Sequence, residues 1–196
     1  MQSRYWKNTN KPIRVRLVWD AAAQSGGQPL NDFRHAGPDL LKSLVDLLIS
    51  FRTGKVAFIG DIAEMFHQIR VKPEDAHVQR FLWYDQDDEL HHPSVYTIEA
   101  LTFGINCAPC IAHFIQDRNA DRFQQQYPAA TQAVKNYHYA DDFIYSGNDN
   151  KEVATQVCHI HAAGGFYIRN WAPNSKTVLI ELGGESSSTE VEITTA

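Results

Sequence analysis

Two adjacent carboxylates, Asp141 and Asp142, stand in the run Tyr139-Ala140-Asp141-Asp142. Asn136 to Tyr139 leads in as a strand, and Phe143-Ile144-Tyr145-Ser146 leads out to Gly147. Aspartate is a poor strand residue, so a pair of them between β-favouring aromatics predicts a tight hairpin turn. Adjacent hard anions on such a support suit Mg2+, which binds through one or two carboxylates plus substrate phosphates. A solvated Asp-Asp turn would use the same residues. Two-metal chemistry asks for more: carboxylates converging from separate elements around ions about 3.5–4 Å apart. Asp61 is the second source, because it follows the apolar run Val56-Ala57-Phe58-Ile59-Gly60. A carboxylate leaving a buried strand either binds something or caps the turn before Ala63-Glu64-Met65-Phe66. Glu64 reads as a solvated or salt-bridged side chain.

The elements that must position these acids follow from patterning. Arg14 to Trp19 alternates basic and apolar residues and predicts a strand. Pro38-Asp39 opens a helix to about Arg52, with Leu40, Leu41, Leu44, Val45, Leu47, Leu48 and Phe51 apolar and Gly54 closing it. Val56 to Ile59 is a short buried strand. Val78 to Tyr84 and Ser94 to Leu101 predict a hairpin around the acidic turn Asp85-Gln86-Asp87-Asp88-Glu89. Pro109 to about Tyr127 is helical, with Pro128 beyond its end. Asn150 to Ala163 is an amphipathic helix stopped by Gly164-Gly165. Phe166 to Trp171 and Thr177 to Leu182 are strand-like. Helices mixed with hairpins predict an α+β domain rather than a regular βαβ alternation.

The chain of 196 residues is long enough for one domain with a real core. No apolar run is long enough for a bilayer. No secretory signal opens the chain. Three cysteines give no disulfide framework and fit a reducing, intracellular setting. Cys107, Cys110 and His113 have the spacing of half a zinc site that Cys158, His159 and His161 could complete, but Pro109 and the helix behind it explain the region better, with Cys110 and Cys158 as buried helix residues. The net charge of −5 argues against a free-standing nucleic-acid coat protein. Charge is uneven: Arg4 to Arg16 holds five basic residues and no acid, whereas Glu181 to the end holds four glutamates and no base. The basic segment either meets phosphates or is simply solvated.

Several motifs in order resemble reverse transcriptases. Phe58 to Ile69, with Asp61 after an apolar strand and the aromatic Phe66 five residues on, resembles the first catalytic motif. Leu101-Thr102-Phe103-Gly104-Ile105-Asn106-Cys107-Ala108-Pro109 resembles the second, in its long-terminal-repeat retrotransposon form. Tyr139-Ala140-Asp141-Asp142 resembles the third, and Gly164 to Trp171 with Asn174-Ser175-Lys176 the fourth. Arg14 to Ala22 with Leu30-Asn31-Asp32 resembles the fingers segment of the Pao/BEL branch.

The resemblance implies an RNA-directed DNA polymerase: a right-hand palm with part of the fingers, an antiparallel sheet packed on helices, and the thumb missing. It implies fingers and palm over residues 1–182, then an acidic linker and the start of a following segment over 183–196. Asp61 and Asp141, with the backbone carbonyl of Ile62, would hold two Mg2+ ions, for which Mn2+ can substitute; Asp142 would support them. Arg16 would pair with the incoming triphosphate. Phe66 would select dNTP over rNTP by steric exclusion. Phe103, Gly104 and Tyr139 would line the nucleotide and primer end, and Lys176 would give a proton to pyrophosphate. The partners implied are an RNA or DNA template-primer and dNTPs, in a cytoplasmic particle of an active element and with no membrane. The remaining polyprotein, with protease, RNase H and integrase, is expected to be missing. An inactive retroelement remnant, or a palm that only binds nucleic acid, is the competing expectation.

Overall fold

The computed structural model describes residues 2–4, 18–24, 26–84, 92–148 and 151–182. Two compact units share them: Met1–Leu41 with Glu64–Ile115, and Lys42–Ala63 with Gln116–Ala196. The architecture mixes helices with antiparallel sheet, as the patterning predicts.

The first unit opens with β1 (Gln2–Arg4) paired antiparallel to β2 (Val18–Asp20). Of the strand expected over Arg14 to Trp19, residues 14–17 lie outside the described residues. The expected hairpin is present as a pair of shorter strands, Arg80–Trp83 and Ser94–Thr97, in antiparallel register. Its acidic turn lies outside the described residues. Trp19 is buried, with its ring 4.5 Å from that of Phe81.

The second unit holds a four-stranded antiparallel sheet. Its central strand, β3, covers Val56–Ile62 and so runs past the expected end, carrying Asp61 inside the strand. That placement removes Asp61 from any helix-capping role. The hairpin strands of the first unit are β4 and β5. Then β6 (His138–Tyr139), β7 (Asp142–Gly147) and β8 (Ile168–Pro173) complete the sheet in the order β6-β7-β3-β8. Phe58 and Phe143 are fully buried in a core shared with Ala120, Val134, Val157 and Ile160. Tyr145 and Trp171 ring Phe58 at 5.4 and 5.8 Å.

Helix boundaries depart from the sequence reading where capping chemistry outweighs hydrophobic pattern. The helix expected from Pro38 starts later, as α1 (Leu44–Phe51), because the Ser43 side chain accepts from the Asp46 N–H at its first turn. Asp39 instead accepts from the Leu41 N–H at 3.0 Å, a local turn that competes with helix. A short turn, α2 (Pro73–Ala76), belongs to the first unit. The helix α3 (Ala108–Asp121) crosses from one unit's residues to the other's and ends before Tyr127. Pro128 does not close a helix but opens one, α4 (Pro128–Asn136), which takes Asn136 from the strand expected to lead into the hairpin. Proline at a first helical position loses no hydrogen bond.

The helix α5 (Lys151–Ala163) ends as expected. Gly165, at φ +79°, lets its own N–H reach Ala162 and the Phe166 N–H reach His161, the paired bonds of a Schellman motif. The last expectation fails outright: Thr177 to Leu182 is not strand but lies in α6 (Lys176–Glu181) and its C-cap. Val178 is buried in the core there, and tertiary packing overrides the weak β preference of Thr and Val.

Candidate carboxylate site

A two-residue loop, Ala140-Asp141, joins β6 to β7, with Tyr139 opposite Asp142. Ala140 sits at φ +53°, the positive value that primed hairpin turns require of the first loop residue. A Cβ makes that conformation costly, and such strain persists only where surrounding structure enforces it. Here the Asp141 carbonyl accepts from the Ile62 N–H at 2.8 Å, tying the loop to β3. The hairpin expectation therefore holds, with Asp141 in the turn and Asp142 as the first residue of β7.

Register then decides which side chains meet. Asp61 on β3 pairs with Asp142 on β7 and with Arg169 on β8. Cross-strand partners share a sheet face, so Tyr139, Asp142, Asp61 and Arg169 form a row across all four strands. Burial pushes the Asp142 carboxyl above its usual range, and the negative charges of Asp141 and Asp61 add to the rise. The Asp61 carboxylate faces the other way in charge: Arg169 Nε donates to its Oδ2 at 3.1 Å and Asn170 Nδ2 to its Oδ1 at 2.5 Å.

Arg169 and Asn170 are the side chains on Asp61 that sequence reasoning passed over. They lie within the quoted fourth motif, yet only a bulge brings both to Asp61. Between Ile59 and Asp61 the β3–β8 register slips, so that Asn170 and Trp171 together oppose Gly60. Asn170 takes φ +53°, which asparagine tolerates better than most residues. Gly60 is required there, because a Cβ would stand 2.6 Å from Ile168 and 2.8 Å from Trp171.

In the first unit, Phe66 and Phe103 meet edge to face at 4.8 Å, with His67 also on Phe103 at 5.5 Å. Gly104, at φ +87°, has a reason internal to the fold: a Cβ there would lie 2.0 Å from the Trp19 carbonyl oxygen. Its own carbonyl accepts from Asn31 at 3.0 Å, while Asn106 donates to the Asn31 and Arg34 carbonyls. Thus the segment from Leu30 to Asp32 and the second motif are clasped together. Arg16 lies outside the described residues. Lys176 opens α6, exposed, and the partners of Asp61 are Arg169 and Asn170 rather than this lysine.

Among the described residues, no three His, Cys, Asp or Glu side chains are arranged to hold a metal ion. The zinc-like cysteines and histidines form no such group either. The donors at the sheet still fit a divalent cation in kind. Three carboxylates come from two strands and their turn, the charges of Asp141 and Asp61 raise the pKa of Asp142, and a hard cation relieves that repulsion. Among the described residues, no helix is long and apolar enough to cross a membrane.

Comparison with protein families gives a match over residues 5–171 to the reverse transcriptase (RNA-dependent DNA polymerase) family. A match across most of the chain places this protein in that family, whose activity is template-directed nucleotidyl transfer by resemblance. Comparison with curated proteins finds no match.

Proposed function

We propose that this chain makes DNA on an RNA template, joining a primer 3′-hydroxyl to the α-phosphate of a dNTP with release of pyrophosphate. The observation that carries the reading is the register placing Asp61 beside Asp142, with Asp141 tied to the same strand through Ile62. In this reading Asp61 and Asp141 are the main metal-holding groups, with the Ile62 carbonyl, and Asp142 supports them. Bound Mg2+ or Mn2+ would supply Lewis-acid charge for the attacking and leaving oxygens. Tyr139 steadies the primer end from the same row. Phe66, held edge-on by Phe103, discriminates against ribonucleotides; Gly104 lets the chain turn closely there; Arg16 and Lys176 serve the triphosphate and pyrophosphate.

The second unit corresponds to a palm and the first to fingers, together covering residues 1–182, with 183–196 as a linker. The form of the second motif and the Arg14 to Ala22 segment favour a long-terminal-repeat retrotransposon of the Pao/BEL branch. The partners are then template-primer, dNTPs and the other polyprotein segments, in a cytoplasmic particle. A second reading, a palm that binds nucleic acid without catalysis, draws on the engagement of Asp61 by Arg169.

Primer extension on an RNA template separates the two. Catalysis predicts Mg2+-dependent extension that Asp141→Asn lowers on the order of 100-fold or more. Template binding that is indifferent to Mg2+ and to the aspartates, with no extension, would favour the second reading.

A further inference from the structure

The acids of the row are unequally compensated. Asp141 and Asp142 have no cationic partner among the described residues. Asp61, by contrast, has both carboxylate oxygens engaged, one by a guanidinium and one by a neutral amide. The arrangement is built into the backbone: the register sets Arg169 opposite Asp61, and the bulge with its left-handed Asn170 brings the second donor to the same carboxylate. The Arg169 side chain is 55% exposed, so it has room to withdraw into solvent, while that of Asp61 is only 25% exposed and stays where the strand puts it.

We propose that Arg169 is a latch on Asp61, a positioning residue that occupies the carboxylate until a divalent cation displaces it, and so sets the cation concentration at which the site fills. This rests on the reading of Asp61 as a metal ligand. A guanidinium and a divalent cation compete for the same oxygens, since a carboxylate fully paired with Arg offers the metal fewer lone pairs. Asn170, being neutral, orients the carboxylate without opposing the second charge. An ion pair this exposed is weak, so the latch tunes metal affinity without blocking it.

The test is Mn2+ binding by the 196-residue chain without nucleic acid, followed by the electron paramagnetic resonance signal of free Mn2+. Arg169→Gln is expected to tighten the dissociation constant about two- to fivefold, the ratio that an exposed ion pair is worth. Added salt should narrow the gap between the parent and Arg169→Gln, because salt screens exposed charges. Affinity that is unchanged or weaker in Arg169→Gln, while Asp61→Asn still removes the binding, overturns the latch and leaves the metal role of Asp61 intact. So does a gap that salt does not narrow. Binding that survives Asp61→Asn overturns the metal reading, and the latch falls with it. Melting curves without metal check that each variant is folded.

Discussion

The sheets of the two units treat their apolar residues differently. In the second, Phe58 and Phe143 are fully buried, and Tyr145 and Trp171 close around Phe58. In the first, the β4–β5 hairpin leaves Leu82 63% and its cross-strand partner Val95 62% exposed, with Trp83 and Tyr96 partly exposed beside them. A two-stranded hairpin cannot bury both of its faces alone. The sheet of the second unit gains a core from the helices packed on it, and the acids stand on that sheet. The difference separates a sheet closed over a core from a hairpin that leaves apolar side chains on its surface.

The sharpest test of that contrast is Phe58→Ala, expected to cost about 3–5 kcal/mol in urea unfolding, because a closed core cannot collapse around the void. A loss near zero would mean that the second unit is loosely packed. Next comes acidity. His161 is fully buried against His138, with their Nε2 atoms 3.0 Å apart, and burial pushes its pKa down to about 3. The folded value lies below the unfolded one of about 6.5, so the unfolded chain takes up the proton first. The contribution of His161 is therefore complete above about pH 6.5 and lost as pH falls toward 3. Stability measured between pH 7 and 4 should fall accordingly, and His161→Gln should flatten the slope. Smallest is Leu82→Ser on the hairpin, expected within about 0.5 kcal/mol of the parent. An effect as large as that of Phe58→Ala would erase the distinction between the units.

Much of the frame is legible in the residues. The apolar run before Asp61 announces a buried strand, and the aspartates between aromatics announce a hairpin. Gly164-Gly165 announces the end of α5. What escapes is set by non-local contacts. Whether Pro128 closes a helix or opens one depends on the packing of Ala130, Ala133 and Val134 against the core. The helical state of Lys176–Glu181 depends on burying Val178. The link from Arg169 and Asn170 to Asp61 needs a one-residue register slip between strands far apart in sequence, and no local pattern encodes a slip. Gly104 shows a different limit: glycine signals a close approach, and the neighbour turns out to be Trp19.

The central place of β3 has a consequence for how the chain reaches its folded state. Its hydrogen-bonding partners begin only at Asp142 and Ile168, so Val56–Ile62 must wait, unpaired, for the rest of the chain. On a ribosome adding about 5–20 residues per second, that wait lasts several seconds or more. Long-range strand pairing is also slow in itself. Until β7 and β8 arrive, an apolar strand with both edges open is free to associate with copies of itself. Keeping few nascent chains together at a time should favour soluble protein, and chaperones that shield nascent apolar strands should matter most during this interval.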